Sequence, residues 1–129
     1  MQFYSVGFNN TQLVFMYILL NKEREPIAYI ENMMLLDAST KKVIGIIIGD
    51  CFFGKKEQVI GKIFNEHAYL VSGEIIAFVI RNPNYVSTSP TKEQMEVAWD
   101  ILAGITKHTS DWIIEKNTWA PISLLESLS

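Results

Sequence analysis

The chain has 129 residues, of which 49% are hydrophobic and 19% are charged, and its formal net charge is −3. This length is typical of one domain with one hydrophobic core, so we expect residues 1–129 to fold together. The acidic balance argues against nucleic acid and membrane lipid as partners, because both are bound by clustered Lys and Arg. The densest basic spots are only Lys41-Lys42 and Lys55-Lys56.

The single cysteine, Cys51, cannot form an intramolecular disulfide, which favours a reducing compartment. The apolar run LVFMYILL at 13–20 is too short to span a bilayer, which takes about twenty residues. No Lys or Arg precedes this run, and NKEREP follows it where a signal-peptide cleavage site would lie. These features predict a cytoplasmic protein that does not enter a membrane.

The N-terminal part, residues 1–25, is predicted to form strands. MQFYSVGF alternates weakly, and residues 13–20 are rich in β-branched and aromatic side chains, which favour a strand. A helix capped by Asn10 or Thr11 is the alternative, because periodicity cannot distinguish the two in a continuously apolar octet.

Residues 26–86 contain a pattern that returns at an interval of sixteen residues. VIGII at 43–47 recurs as VIGKI at 59–63 and as IIAFV at 75–79, and PIAYI at 26–30 is an earlier copy displaced by one residue. A second large residue recurs ten positions after the start of each copy, as Leu36, Phe53, Tyr69 and Tyr85. Two matching points in each copy indicate a repeat.

A sixteen-residue unit suits a hairpin of two strands of about five residues with two turns. Turn-forming residues follow the first strand at Gly49-Asp50 and Asn65-Glu66. The small residue in each first strand permits a bulge, a bend or the close approach of a neighbouring ring. We expect that ring to be an aromatic of the following strand, such as Phe53 or Tyr69.

This arrangement resembles the small bacterial proteins described as four-fold beta-flap proteins, over about residues 26–86. The resemblance implies a fold of consecutive hairpins; the family has no assigned activity, so no catalytic residue is carried over. The first copy departs from the pattern, because Ala28 stands for the glycine and the spacing is seventeen. The fourth copy ends at Arg81-Asn82-Pro83-Asn84.

Residues 87–116 are predicted to form one long amphipathic helix that packs across the sheet. Ser89 with Pro90 is an N-terminal signal, and Thr91 with Gln94 offers an alternative capping box. Gly104 weakens this helix by about 1 kcal/mol relative to alanine. Apolar residues at helical spacing are Met95, Ala98, Trp99, Leu102 and Ile105.

The tail, residues 117–129, carries too much apolar surface to stay in water. It must be buried either on its own domain or on a second subunit. The residues predicted to contact a partner are Trp112, Trp119, Ile122 and Leu125.

No catalytic or cofactor signature is recognisable: the chain lacks a glycine-rich phosphate loop, and Cys51 lies beside two phenylalanines as buried structural thiols do. Cys51 and His67 occupy the same position in successive copies, but Met34 and Pro83 stand there in the others. Two ligands do not make a structural zinc site, so no metal is predicted. The residues assigned to a small-molecule pocket, should one exist, are Cys51, His67, Tyr69 and Tyr85.

The sequence therefore predicts an α+β fold that is mainly β. Antiparallel hairpin repeats form a curved sheet or open barrel with one long C-terminal helix on it. The expected function is a non-enzymatic binding or protein-interaction module that can self-associate, for example as a homodimer. The alternatives are a small-molecule binder or minor enzyme with its site between sheet and helix, and an immunity-type protein that neutralises a partner.

Overall fold

The computed structural model describes residues 16–56, 58–82, 89–106, 108 and 112–129. The strands are β1 Met16–Leu20, β2 Pro26–Glu31, β3 Met34–Asp37, β4 Val43–Ile48, β5 Cys51–Phe53, β6 Gly61–Phe64, β7 His67–Leu70 and β8 Ile75–Asn82. All neighbours pair antiparallel in sequence order, and β1 also pairs with β8, which closes the sheet into a barrel. The predicted antiparallel hairpins are confirmed, and the sheet that the sequence left curved or open is closed.

The closing strand comes from the apolar run whose structure the sequence left open. Residues 16–20 form β1, so the strand prediction is confirmed there, while residues 1–15, for which strands are also predicted, lie outside the described part of the chain. β1 pairs with β2 along one edge and with β8 along the other. It thereby satisfies both edges that a hairpin series would otherwise leave unpaired.

The hairpin turns lie where the sequence placed them. β4 turns into β5 through Gly49-Asp50, and β6 turns into β7 through Asn65-Glu66. The predicted second half of the fourth copy, with Tyr85, falls in residues 83–88, outside the described structure. The edge of β8 that a following strand would occupy is paired with β1.

Several strand pairs contain a bulge at the small-residue motif. The register skips one residue where β2 meets β1, where β4 meets β3 and where β8 meets β7. The skipped residues are Ile27, Ile44 and Ile76. These three isoleucines and Ile60, which occupies the equivalent place before Gly61, all pack into one core cluster with Leu124 and Leu128.

The small residues themselves face the barrel interior, and their contacts differ from the expectation. A Cβ on Gly45 would come within 2.5 Å of the Phe53 carbonyl oxygen, and one on Gly61 would strike the Tyr69 carbonyl oxygen. The predicted close approach is therefore made by backbone. The ring beside Gly61 belongs to Phe52, while the Phe53 and Tyr69 side chains pack in separate clusters on the outside of the barrel.

The helix α1 runs over Lys92–Gly104, so the predicted helix over 87–116 is wrong at its C-terminal end. Its N-terminus follows the alternative signal, because Thr91 and Gln94 form a reciprocal capping box. After Gly104, Ile105 is extended, with φ −76° and ψ 115°. Glycine followed by two β-branched residues has low helix propensity, and α1 contributes no buried residue that would offset this cost.

Helix α1 lies on the outer face of the barrel wall formed by β3, β4 and β5. Ala98 and Ile101 pack against Met34, Leu36 and Val43 and, further along, against Ile46, Cys51 and Phe53. This wall is therefore covered on both faces, by the barrel interior and by the helix. Burial on both sides explains why VIGIII and CFF are continuously apolar instead of alternating.

The tail packs on its own barrel. After the Ser123 cap, the short helix α2, Leu124–Leu128, places Leu124 and Leu128 in the main core cluster. The Lys55 amide donates a hydrogen bond to the Leu128 carbonyl oxygen at 2.8 Å, which fixes the end of the chain beside β5. Of the two possibilities for the tail, burial in cis is realised for these two leucines.

The contacts at Gly61 predict a test of barrel packing. Gly61→Ala should lower the free energy of unfolding by about 2 kcal/mol or more, because the colliding partner is a backbone carbonyl that cannot rotate away. Gly104→Ala, where nothing lies within 4 Å of the new Cβ, is the control and should stabilise the protein by up to about 1 kcal/mol. Urea denaturation of both variants measures the difference, and equal effects would contradict the interior packing described here.

The position of α2 predicts different effects for two substitutions in this helix. Leu128→Ala should cost about 2–5 kcal/mol, because it opens a cavity against the isoleucine cluster. Leu125→Ala, on the exposed side of the same helix, should cost less than about 1 kcal/mol. Urea midpoints that shift by the same amount in both variants would show that α2 does not seat in the barrel.

Candidate functional site

A groove runs between α1 and the β3–β4 wall and has a volume of about 380 Å³. Of the described residues in contact with it, all but Asn32 are apolar. The lining consists of Asn32, Met33, Met34, Ile46, Ile47, Ile48, Pro90, Met95, Ala98, Trp99 and Leu102. We refer to it as the α1 groove.

The helix side of the groove is an apolar seam that the barrel does not cover. Only Gln94, Ala98 and Ile101, with Ile105 beyond the helix end, are half-buried. The next strip round the helix consists of Met95, Trp99 and Leu102, which are 46%, 64% and 40% exposed. These residues follow the i, i+4, i+7 spacing of one helix face, so they form a continuous stripe.

The other side of the groove ends at the β2–β3 turn. Asn32 and Met33 form this turn with φ of 53° and 64°, a conformation that favours glycine or asparagine. Among the described residues, the non-glycine positions with positive φ are Arg24, Asn32, Met33, Lys41, Asn65 and Glu66. Met33 is the only apolar side chain in this set, and 46% of it is exposed beside the groove.

A second cluster lies on the outside of β6, β7 and β8. The His67 ring centroid is 5.6 Å from that of Tyr69 and 5.5 Å from that of Phe78, and the Phe78 and Trp119 centroids are 5.0 Å apart. The structure thus brings together two residues of the predicted small-molecule set, His67 and Tyr69, with one predicted contact residue, Trp119. Tyr85 lies outside the described residues.

Cys51 does not join this cluster. It is buried beneath α1, with its thiol 3.6 Å from an Asp50 carboxylate oxygen, and β6 separates its strand from that of His67. Strand spacing of about 4.8 Å therefore puts the two residues roughly two strands apart. Within the described ranges, no three His, Cys, Asp or Glu side chains are grouped closely enough to hold a metal.

The segment 112–119 is tied to the barrel at the aromatic cluster. The Tyr69 hydroxyl donates a hydrogen bond to a Glu115 carboxylate oxygen at 3.0 Å, and the Ile75 amide donates to the Thr118 carbonyl at 2.8 Å. Burial raises the pKa of Tyr69, and the Glu115 carboxylate raises it further, because both disfavour the phenolate. The hydrogen bond between Tyr69 and Glu115 holds segment 112–119 on the barrel. The geometry of these two side chains does not activate a nucleophile.

Three of the four residues predicted to contact a partner lie together at α2, and Trp112 is the exception. A cavity of about 570 Å³ beside α2 is lined by Trp119, Ile122 and Leu125 together with the core isoleucines Ile27, Ile44 and Ile76. Its rim includes Asp37, whose pKa is lowered because the Ser39 and Thr40 hydroxyls and amides donate to its carboxylate. Trp112 is 87% exposed and contacts neither this cavity nor the α1 groove.

The residues of the α1 groove were only partly foreseen. The sequence marked Met95, Trp99 and Leu102 as apolar at helical spacing, and we expected them to pack on the sheet. Ala98 and Ile101 make that contact instead. The position of Met33 in a turn that favours glycine was the one signal available for the opposite wall.

The fold and these sites were compared with protein-family models, with curated proteins and with solved structures, and no match was found. Among the described residues, no helix is both long and apolar enough to cross a membrane.

The raised pKa of Tyr69 predicts a pH-dependent contribution to stability. Its neutral form is favoured in the fold, so this contribution is complete below the unfolded pKa of about 10 and is lost as pH rises through the folded pKa. Tyr69→Phe should cost about 0.5–1.5 kcal/mol at pH 7, through the lost hydrogen bond.

The difference between wild type and Tyr69→Phe should then shrink above about pH 10, because only the wild type loses the contribution of this hydroxyl. Glu115→Gln, which keeps an acceptor but removes the charge, should weaken the pH dependence without abolishing it, since burial is its main cause. Urea midpoints measured from pH 7 to about pH 11 provide the comparison. A difference that widens at high pH would contradict this assignment.

Proposed function

We propose that the protein is a non-enzymatic interaction module whose partner binds in the α1 groove. The observation that carries this proposal is the exposed stripe of Met95, Trp99 and Leu102 beside a groove lined almost entirely by apolar side chains. Contiguous exposed apolar surface of this kind marks interaction sites on soluble proteins.

The energetics of the stripe favour a bound state. A tryptophan side chain buries roughly 150–250 Å², so covering the exposed part of Trp99 would remove roughly 100–160 Å² from water. At about 25 cal/mol per Å², this single residue would contribute about 2–4 kcal/mol to binding. Tryptophan and methionine are also enriched at protein interfaces, and tryptophan is the residue most often found at their energetic centres.

The chemistry of the groove supports binding over catalysis. Among the described residues, its lining contains no acid, no base and no nucleophilic side chain, and Asn32 is the only polar one. General acid–base and covalent catalysis both require such groups within hydrogen-bond reach of a substrate. The buried thiol of Cys51 is separated from the groove and is consistent with a protein of a reducing compartment.

A small-molecule binder is the second candidate, and the cavity beside α2 favours it. Its volume of about 570 Å³ lies in the range of ligand sites, and it combines an apolar floor with the polar rim residues Lys22, Glu23 and Asp37. This cavity is a different place from the site between sheet and helix that the sequence suggested. The residues assigned to that site, Cys51, His67 and Tyr69, do not line it.

We also propose that residues 26–86 consist of four copies of one hairpin, as in the four-fold beta-flap proteins that the sequence resembles. Supporting hydrogen bonds run from the amides of Ile47, Ile63 and Val79, sixteen residues apart, to the carbonyls of Met33, Asp50 and Glu66. Each acceptor is the second residue of a hairpin turn. The bulges at Ile27, Ile44 and Ile76 recur in the same register.

The proposed function is tested by capture from the native host with matched variants. The tagged full chain, its Trp99→Glu variant and its Trp112→Glu variant serve as baits, and quantitative mass spectrometry measures what each retains. A partner of the α1 groove should be retained by the wild type and by Trp112→Glu. Trp99→Glu should retain at least about 30-fold less, as expected for an interface centre worth about 2 kcal/mol or more.

Trp112 is the appropriate control because it is more exposed than Trp99 and lies away from the groove. A partner that Trp99→Glu retains as well as the wild type does would exclude the groove as its binding site. Loss of the partner with both variants would show nonspecific adhesion to exposed tryptophan instead.

A further inference from the structure

We propose that the occupant of the α1 groove is a second copy of this chain, in a two-fold dimer whose α1 helices pack antiparallel. This inference rests on the proposed function, because it names the partner of the same groove. In the dimer, Trp99 of each copy lies in the groove of the other.

The surface has the self-complementarity that a two-fold interface requires. In such an interface the same patch faces itself, so it must present both a projecting group and a recess to receive it. Trp99 projects from the helix, with 64% of its surface exposed, and the recess of about 380 Å³ lies directly beside it. The stripe of Met95, Trp99 and Leu102 has the spacing with which one helix packs along another.

Charge along α1 favours the antiparallel orientation. Lys92 stands at the N-terminal end, on the side of the helix where Met95 and Trp99 follow at i+3 and i+7. The last turn of α1 contains no basic residue to compensate the negative end of the helix dipole. Antiparallel packing brings Lys92 of one copy beside the C-terminal end of the other helix, and parallel packing would place the two Lys92 side chains together.

The size of the patch suits a reversible dimer. Helix α1 has 13 residues and is therefore about 20 Å long. A standard interface covers about 800 Å² on each partner, which a helix of this length reaches only with additional contacts. The β2–β3 turn adds to the contact, because Met33 is 46% exposed at the opposite rim of the groove, where the same partner covers it. Among the described lining residues Asn32 is the only polar one, so an acidic or basic partner has no charged counterpart there.

Sedimentation equilibrium of the full chain tests this inference, with Trp99→Glu, Lys92→Glu and Trp112→Glu as variants. We expect the mass of the wild type and of Trp112→Glu to rise with concentration and to approach that of a dimer by about 100 µM. Trp99→Glu should be monomeric, with a dissociation constant raised at least about 30-fold. Lys92→Glu should raise it less, by about 2- to 10-fold, because a rim charge contributes less than a buried tryptophan.

Far-UV circular dichroism and the urea midpoint establish that each variant is folded, which is expected because the substituted side chains are exposed. A dimer that persists in Trp99→Glu overturns the inference, and so does one that tightens in Lys92→Glu. A wild type that remains monomeric at about 100 µM also overturns it. The capture experiment would then decide the proposed function independently, by showing whether a different protein is captured in a Trp99-dependent manner.

Discussion

Strand β1 pairs with β2 on one edge and with β8 on the other, so backbone hydrogen bonds link all the strands in a closed ring. Each of the described strands is therefore paired on both sides, and the closed sheet encloses an interior that side chains must fill. The small residues Gly45 and Gly61 let backbone and rings approach inside this space. The bulges at the same motif bring isoleucines together with Leu124 and Leu128, which makes α2 part of the core.

The outer layers of the protein follow from this closed wall. Helix α1 covers β3 to β5 through a narrow stripe centred on Ala98 and Ile101, and segment 112–119 is held over β7 and β8 by Tyr69, Glu115 and Ile75. A helix attached along so narrow a stripe keeps a second apolar strip free. The exposed strip of α1 is therefore a consequence of how little of the helix the barrel covers, and the hydrogen bond from Tyr69 to Glu115 ties segment 112–119 to the barrel.

The candidate site was predictable in its residue types but not in its location. The sequence predicts partner contact for Trp112, Trp119, Ile122 and Leu125. Three of these, Trp112, Ile122 and Leu125, are exposed, and their contact with a partner stays a prediction. The stripe of α1 was assigned to the sheet, because helical periodicity identifies an apolar face without showing which part of it meets the barrel. Whether Ala98 or Trp99 faces the barrel depends on the rotation of the helix about its axis. Packing against Met34 and Phe53 sets this rotation.

The sequence by itself determined the local features: the hairpin strands after residue 25, the turns at Gly49-Asp50 and Asn65-Glu66, and a helix that starts at either Ser89 or Thr91. Each depends on neighbours within a few residues, through backbone conformation and side-chain propensity. Only the tertiary structure decided that β1 closes the barrel and that Leu124 and Leu128 are buried in cis. These outcomes depend on contacts between residues distant in sequence, whose packing outweighs the local preferences of the chain.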